Sequence, residues 1–265
     1  MRLICLNVAL FVSNNEKVIT FLKNQKPDII CLQEVAKSVD KSVYEKYISL
    51  DSINSATKQL MHSFYGPTSK MKDFKQKNFH KEENFYIDLG GFLEIGNYIK
   101  SKYKIINTSN IFIKNKYKEI TDWENWPGNE AKAVLVVDLE LKNGEKIRII
   151  NYHGIWTKEK IGNKETLNAC RKINDLAKEV NYPVIIVGDF NLFPDTQSMR
   201  VFKDFQSLVD VYNIKTTRPS SNELSSLKRN IVDYIFVSSG IKVTSFKVLD
   251  SDVSDHLPLI LDFEI

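Results

Sequence analysis

The feature that most constrains this chain is a succession of short β-rich apolar runs, several of them apolar on both faces. They span residues 3–8, 29–32, 92–99, 134–141, 147–152, 184–187, 231–237 and 257–263. A strand that alternates apolar and polar residues covers one side of a core, whereas an unbroken apolar strand such as 231–237 must be covered on both. These runs are too numerous for one small sheet. Two stacked sheets with helices outside them satisfy the burial, an α/β (α+β) arrangement.

Local signals fill in the connections. Asn143-Gly144 lies between two runs and predicts a tight turn, with positive φ at both central residues, closing an antiparallel hairpin. Ser13-Asn14-Asn15-Glu16 has capping-box spacing, Val18, Ile19, Phe21 and Leu22 make one apolar face, and Pro27 stops the helix they predict. A second helix is expected from Asn163 or Lys164 to about Val180, burying Leu167, Cys170, Ile173, Leu176, Ala177 and Val180, with Pro183 beyond its end. A third is expected over residues 39–48. No composition break divides the 265 residues, so residues 1–265 are read as a single domain.

Composition narrows the class without choosing a function. The formal net charge of +4 tolerates a polyanionic partner but does not require one. The three cysteines, Cys5, Cys31 and Cys170, are scattered with no CxxC spacing, which argues against a disulfide framework or a zinc site and for buried free thiols. The apolar start is interrupted by Asn7 and preceded only by Arg2, so it reads as a strand and not a leader. No apolar stretch approaches the roughly 18 residues that a membrane-spanning helix needs. A cytoplasmic protein with no stable membrane association, monomer favoured, is the expectation.

Chemistry shows where apolar strands end abruptly in acids and amides. Residues 29–32 run into Gln33-Glu34, and residues 184–187 run into Gly188-Asp189-Phe190-Asn191, where Asp189 and Asn191 share one face of an extended chain. Ser254-Asp255-His256 precedes another strand, and Asp233 sits inside an apolar one. Singly, each has an ordinary alternative: a turn aspartate, a helix N-terminal acid, a hydrogen-bonded surface histidine. Asp233 is the exception, because an isolated acid within residues 231–237 needs a fixed cationic or hydrogen-bonding partner. Carboxylates beside buried strands are costly unless compensated, and a divalent cation held by oxygen ligands compensates them.

Taken in order, Asn7, Gln33-Glu34, Gly96-Asn97, His153, Gly188-Asp189-Phe190-Asn191, Val232-Asp233-Tyr234 and Ser254-Asp255-His256 resemble the endonuclease/exonuclease/phosphatase family of metal-dependent phosphoesterases from end to end. The resemblance implies a four-layered α/β/β/α sandwich, two stacked mixed sheets flanked by helices, with the active site at one edge. It implies Mg²⁺, with Mn²⁺ as a possible substitute, held chiefly by Glu34 with Asn7 and Asp255 close by. It also implies that Asp189 orients or deprotonates the attacking water, that Asn191 holds the phosphate or nucleophile in line, and that His256, oriented by Asp233, donates to a non-bridging oxygen. His153 resembles the branch of pancreatic-type deoxyribonucleases and broad phosphodiesterases more than the abasic-site branch. Glu94 is expected to orient it.

The substrate is less legible. Residues 70–81 carry Lys70, Lys72, Lys75, Lys77, His80 and Lys81 around Phe74 and Phe79, a pattern suited to a nucleic-acid backbone or to a solvated loop. Trp156, close after His153, is a candidate site wall, Asn97 a substrate contact, and Arg171 a phosphate contact, whereas Trp123 and Trp126 read as packing. The expectation is a nuclease with nucleic acid, DNA foremost, as substrate. Alternatives are a lipid or small-molecule phosphoesterase, including sphingomyelinase-like, inositol-phosphate and tyrosyl-DNA activities, and a catalytically silent nucleic-acid binder.

Overall fold

The computed structural model describes residues 1–9, 15–77, 84–123, 125, 127–219 and 230–265. In chain order its elements are β1 (Arg2–Asn7), α1 (Asn15–Gln25), β2 (Ile29–Ser38), α2 (Leu50–Ala56), β3 (His62–Lys77), β4 (Asn84–Ser101), β5 (Lys104–Lys114), β6 (Lys118–Glu119) and β7 (Lys132–Glu140). They continue with β8 (Lys146–His153), α3 (Lys164–Lys178), β9 (Val184–Asp189), β10 (Gln206–Ser207), α4 (Leu208–Val211), β11 (Asp233–Val237), β12 (Lys242–Val248) and β13 (Leu259–Glu264). The strands form a seven-stranded sheet, ordered β12-β13-β1-β2-β4-β3-β6, and a six-stranded sheet, ordered β10-β11-β9-β8-β7-β5.

Alternation along the strands builds the layers. In β1 and β2, Ile4, Leu6, Ile30 and Leu32 pack with Val18, Phe21 and Leu22 of α1 and Leu50 and Ile53 of α2. Leu3, Cys5, Ile29 and Cys31 point the other way, into a core shared with the second sheet and with Ala169, Cys170 and Ile173 of α3. The result is helices, sheet, sheet, helix, as the resemblance implied. All three cysteines are buried and free, and no helix among the described residues is long and apolar enough to cross a membrane.

Local expectations fare unevenly. Helix α3 begins at Lys164 behind the N-cap Asn163, whose side chain forms a capping box with Thr166. Helix α1 buries Val18, Phe21 and Leu22, while its expected cap at Ser13 and Asn14 lies outside the described residues. The β7–β8 hairpin is present, but only Gly144 has positive φ, at +84°. The turn is therefore closed by Gly144 N–H donating to Leu141 O (3.0 Å), a three-residue loop with a single left-handed position. The helix expected over residues 39–48 is a 3₁₀ turn, Glu45–Tyr47, with α2 beginning only at Leu50. Asp40 competes there, its carboxylate accepting the backbone N–H groups of Ser42 and Phe92.

Residues 62–77, 104–114 and 242–248 are strands that the apolar runs did not reveal, because much of their surface is exposed or their charge masks the pattern. Residues 70–77 of the lysine-rich segment are strand, in the far half of the long β3–β4 ladder, with Asp73 opposite Asp88 and Lys77 opposite Asn84. Phe79, His80, Lys81 and Trp126 lie outside the described residues, as do the side chains of Phe74, Lys75 and Lys77. Trp123 donates its indole N–H to Asp73 (3.0 Å), a packing role.

Candidate active site

The register of three neighbouring strands creates the site. His153 ends β8 opposite Asp189, which ends β9, and Asp189 faces Asp233 at the start of β11. The three side chains form one row on the face of the second sheet that looks at the first. Opposing them, Asn7 ends β1 in register with Gln33 of β2. Beneath this row, Gln33 donates to Asn151 Oδ1 (2.6 Å), and Asn151 donates to Leu32 O (3.0 Å), a buried amide clamp that locks the sheets together.

Glu34 reaches the site by breaking the alternation. Strict period two would aim it with Leu32 at the helices. A bulge in β2 between Leu32 and Val35 and a φ of +56° at Glu34 swing the carboxylate round, where Oε1 accepts from Asn7 Nδ2 at 2.9 Å. Left-handed backbone at a non-glycine residue is strained and persists only where its surroundings enforce it. Asn191, at φ +55°, is a second such position. Gly188 permits the close approach that puts Asp189 in the row, since a Cβ there would lie 1.9 Å from Tyr152 O.

Asp189 is the hub. Its Oδ1 accepts Asn191 N–H (2.8 Å), and its Oδ2 accepts from Asn191 Nδ2 and Asn7 Nδ2, both at 3.2 Å. His256 Nε2 lies 3.5 Å away and His153 Nε2 3.9 Å. Burial pushes this carboxyl up, but His256, His153, Arg218 and Lys160 outweigh burial and hold it well below the usual range. His256 Nδ1 is bonded to Asp233 at 2.8 Å. Burial and Arg218 push His256 down, yet Asp233, Asp189 and Asp255 prevail and raise it above its ordinary 6.5. Burial raises Asp233 against the pull of its histidine. His153 goes the other way, driven well below its ordinary value by burial and by Lys132, whose ammonium is 3.5 Å from Nε2.

Sequence reasoning missed three cations here. Lys132, paired with Glu130 at 2.8 Å, begins β7. Arg218 binds Asp255 through Oδ2 (3.0 Å) and O (3.1 Å). Lys160, buried, donates to Asn191 Oδ1. None lies in a strand-end acid motif, and only Lys160's position near Trp156 could have drawn attention.

Some expected residues lie elsewhere. Glu94 does not orient His153: unbroken alternation in β4 puts it with Tyr98 on the face turned from the second sheet, where it accepts from Tyr117 (2.7 Å) and pairs with Lys37 (3.8 Å). Arg171 is on the solvent face of α3, opposite the buried Cys170 and Ile173; Arg218 is the arginine at the site. Asn97 is buried and donates to Ala133 O (3.0 Å) across the two sheets, a structural bridge. Trp156 is half-buried, with Lys160 Nζ 5.0 Å from its ring centroid.

The donor set fits a hard divalent cation. Asp189, Asp233 and His256 offer ligand atoms within 4.8 Å of one another, but they are buried and already satisfied by each other. Glu34 and Asp255 are better placed, with side chains 30% and 38% exposed. Burial, then the negative charge of Asp255, raises the Glu34 carboxyl, while Asn7 partly offsets this. Two partly exposed carboxylates near enough to repel, one steered by an amide, are what an oxygen-ligated cation relieves.

The sequence profile of the Endonuclease/Exonuclease/phosphatase family matches residues 110–256, which hold His153, Asp189, Asn191, Asp233, Asp255 and His256. The chain belongs to this family. Its members are phosphoric ester hydrolases, generally metal-dependent. A UPF0294 protein of Vibrio parahaemolyticus is 27% identical over 136 residues, 51% of this chain and 46% of its own. The chain thus spans about half the length of the curated relatives it matches. An endonuclease/exonuclease/phosphatase from Beutenbergia cavernae superposes with a TM-score of 0.71 at 15% identity, over 100% of this chain and 71% of its own. A family protein from Leptotrichia buccalis gives 0.69 at 16%, covering 100% of both chains. A Bacteroides thetaiotaomicron mannosyl-6-phosphatase gives 0.64 at 15%, again over 100% of both. At such identities these likenesses show the shared fold.

Proposed function

We propose that this chain is a Mg²⁺-dependent phosphodiesterase that cleaves nucleic acid, DNA foremost, by in-line attack of water. The observation that carries the reading is the convergence of Asp189, Asn191 and the His256–Asp233 pair beside the Glu34–Asn7 pair. A depressed carboxyl is a weak base, so Asp189 orients the water more than it deprotonates it. Asn191 holds the same oxygen or the phosphate in line. His256 accepts nothing at Nδ1 while Asp233 occupies it, so its raised proton affinity keeps a donor at Nε2 for a non-bridging oxygen as charge builds there. A divalent cation, held by Glu34 with Asp255 nearby, would neutralise phosphoryl charge. Lys132 and Arg218 add positive potential suited to a polyanion.

The test is a cleavage panel with Mg²⁺ or Mn²⁺, each substrate run beside Asp189→Asn: single- and double-stranded DNA, RNA, abasic duplex, tyrosyl-linked oligonucleotide, sphingomyelin, inositol phosphates and a sugar phosphate. Chelator-sensitive DNA cleavage that Asp189→Asn abolishes is expected. Turnover confined to a lipid or sugar phosphate would overturn the nuclease assignment.

A further inference from the structure

Lys160 sits in the connection between β8 and α3 and is only 6% exposed. Its backbone is left-handed, at φ +56°. The N–H donates to Thr157 O (3.2 Å) and the carbonyl accepts Phe193 N–H (2.8 Å), which ties this turn to the segment leaving β9 just past Asn191. Burying an ammonium is costly, and an apolar side chain would fill the space without that cost. Its Nζ donates to Asn191 Oδ1 with the Trp156 ring at 5.0 Å.

The two ends of an amide differ little in shape, so packing alone does not decide which way Asn191 faces. An ammonium only donates, and therefore the end beside Lys160 must be the oxygen. That sends Nδ2 towards Asp189 Oδ2 (3.2 Å) and Gly154 O (3.5 Å). The reversed amide would set its oxygen against the Asp189 carboxylate. Among the described residues nothing else donates to Asn191 Oδ1.

We infer that Lys160 is a positioning residue: by binding Asn191 Oδ1, opposite the Asp189 carboxylate at Nδ2, it holds that amide in the orientation in which it meets the reacting phosphate. This deepens the proposed phosphoesterase reading and rests on it for its kinetic readout. Direct contact with substrate is the competing role, and the split between kcat and KM separates the two.

The experiment compares wild type, Lys160→Met, Lys160→Gln, Asn191→Ala and the Lys160→Met/Asn191→Ala double variant on the best substrate at saturating Mg²⁺, with thermal melts alongside. Lys160→Met is expected to lower kcat by about 10–100-fold, as loss of a supporting hydrogen bond does. KM should stay within about two-fold, the sign of a role outside substrate binding. Lys160→Gln, which can still donate, should recover most of the turnover and carries the test if the Met variant fails to fold. The double variant should be no slower than Asn191→Ala. Wild-type turnover in Lys160→Met, a rise in KM alone, or additive losses would overturn the inference. A second readout needs no activity: the Asn191 side-chain amide resonances of the full-length chain should move in Lys160→Met, and unmoved resonances sink the inference. A wild type inactive on the whole panel, with the amide still moving, refutes the phosphoesterase reading and leaves this one standing.

Discussion

Strand β8 opens onto a cluster of charged groups at each end, and the two behave in opposite ways. At its start, Arg148 grips Asp138 with two hydrogen bonds (2.7 and 3.0 Å), caps α3 through Leu176 O (2.8 Å), and leaves Asp138 a further donor in Asn107 (3.1 Å). One cation meets a buried anion and, at 3.5 Å, the half-exposed Glu179, on relaxed backbone. At its end, His153 enters a cleft where Glu34, Asp189, Asp233 and Asp255 crowd together among Lys132, Lys160, Arg218 and His256, with left-handed φ at Glu34, Lys160 and Asn191. Buried charge alone therefore does not mark a site. Like charges forced together on strained backbone, with carboxylates still open to solvent, do.

The largest expected effect falls at the strained end. Asp189→Asn and His256→Ala should each lower kcat, measured per folded molecule, by roughly 10²–10³-fold, the range for one preorganised electrostatic group. Near-normal turnover in either would erase the contrast. At the relaxed end the pattern should invert: Arg148→Met, which strands a buried carboxylate, should cost about 3 kcal/mol of stability in denaturant titrations and leave turnover per folded molecule intact. Adding Asp138→Leu should recover most of that loss.

Smaller effects sharpen the comparison. Glu34→Gln should weaken divalent binding by about 10–100-fold in calorimetric titration, more than Asp255→Asn, whose carboxylate is already shared with Arg218. Because the folded His256 is raised above 6.5, its stabilising contribution is complete below that value and is lost as pH rises through its folded value. Turnover should fall along the same alkaline limb, and a melting profile for His256→Asn that parallels wild type between about pH 6 and 9 would contradict this. The smallest change tests ground remote from both charges: Gly144→Ala, at φ +84° with open space around it, should cost about 1 kcal/mol through backbone strain alone.

Much of the fold was legible because burial on both faces leaves a mark in composition. Ile29 to Leu32, Val184 to Val187 and Ile231 to Val237 could hardly be anything but covered strands. The exposed strand Lys104–Lys114 and the charged β3–β4 arm escaped notice, since solvent-facing residues impose no apolar pattern. The acids and amides of the site were legible for a related reason: Asp189 and Asp233 interrupt apolar runs and so demand compensation. Lys132, Lys160 and Arg218 interrupt nothing. The Glu94 assignment failed on parity, as alternation along β4 points that side chain at the wrong face.

The order of covered strands, the capped helices and the presence of polar groups at strand ends follow from the chain alone, because period, caps and desolvation are local properties. Which of those groups meet was decided only by tertiary structure. Register set His153, Asp189 and Asp233 in one row, a bulge turned Glu34 against its own alternation, and close packing buried Lys160 against Asn191. The physical reason is that electrostatic work depends on distances of a few ångströms, and those are fixed by contacts between residues far apart in sequence.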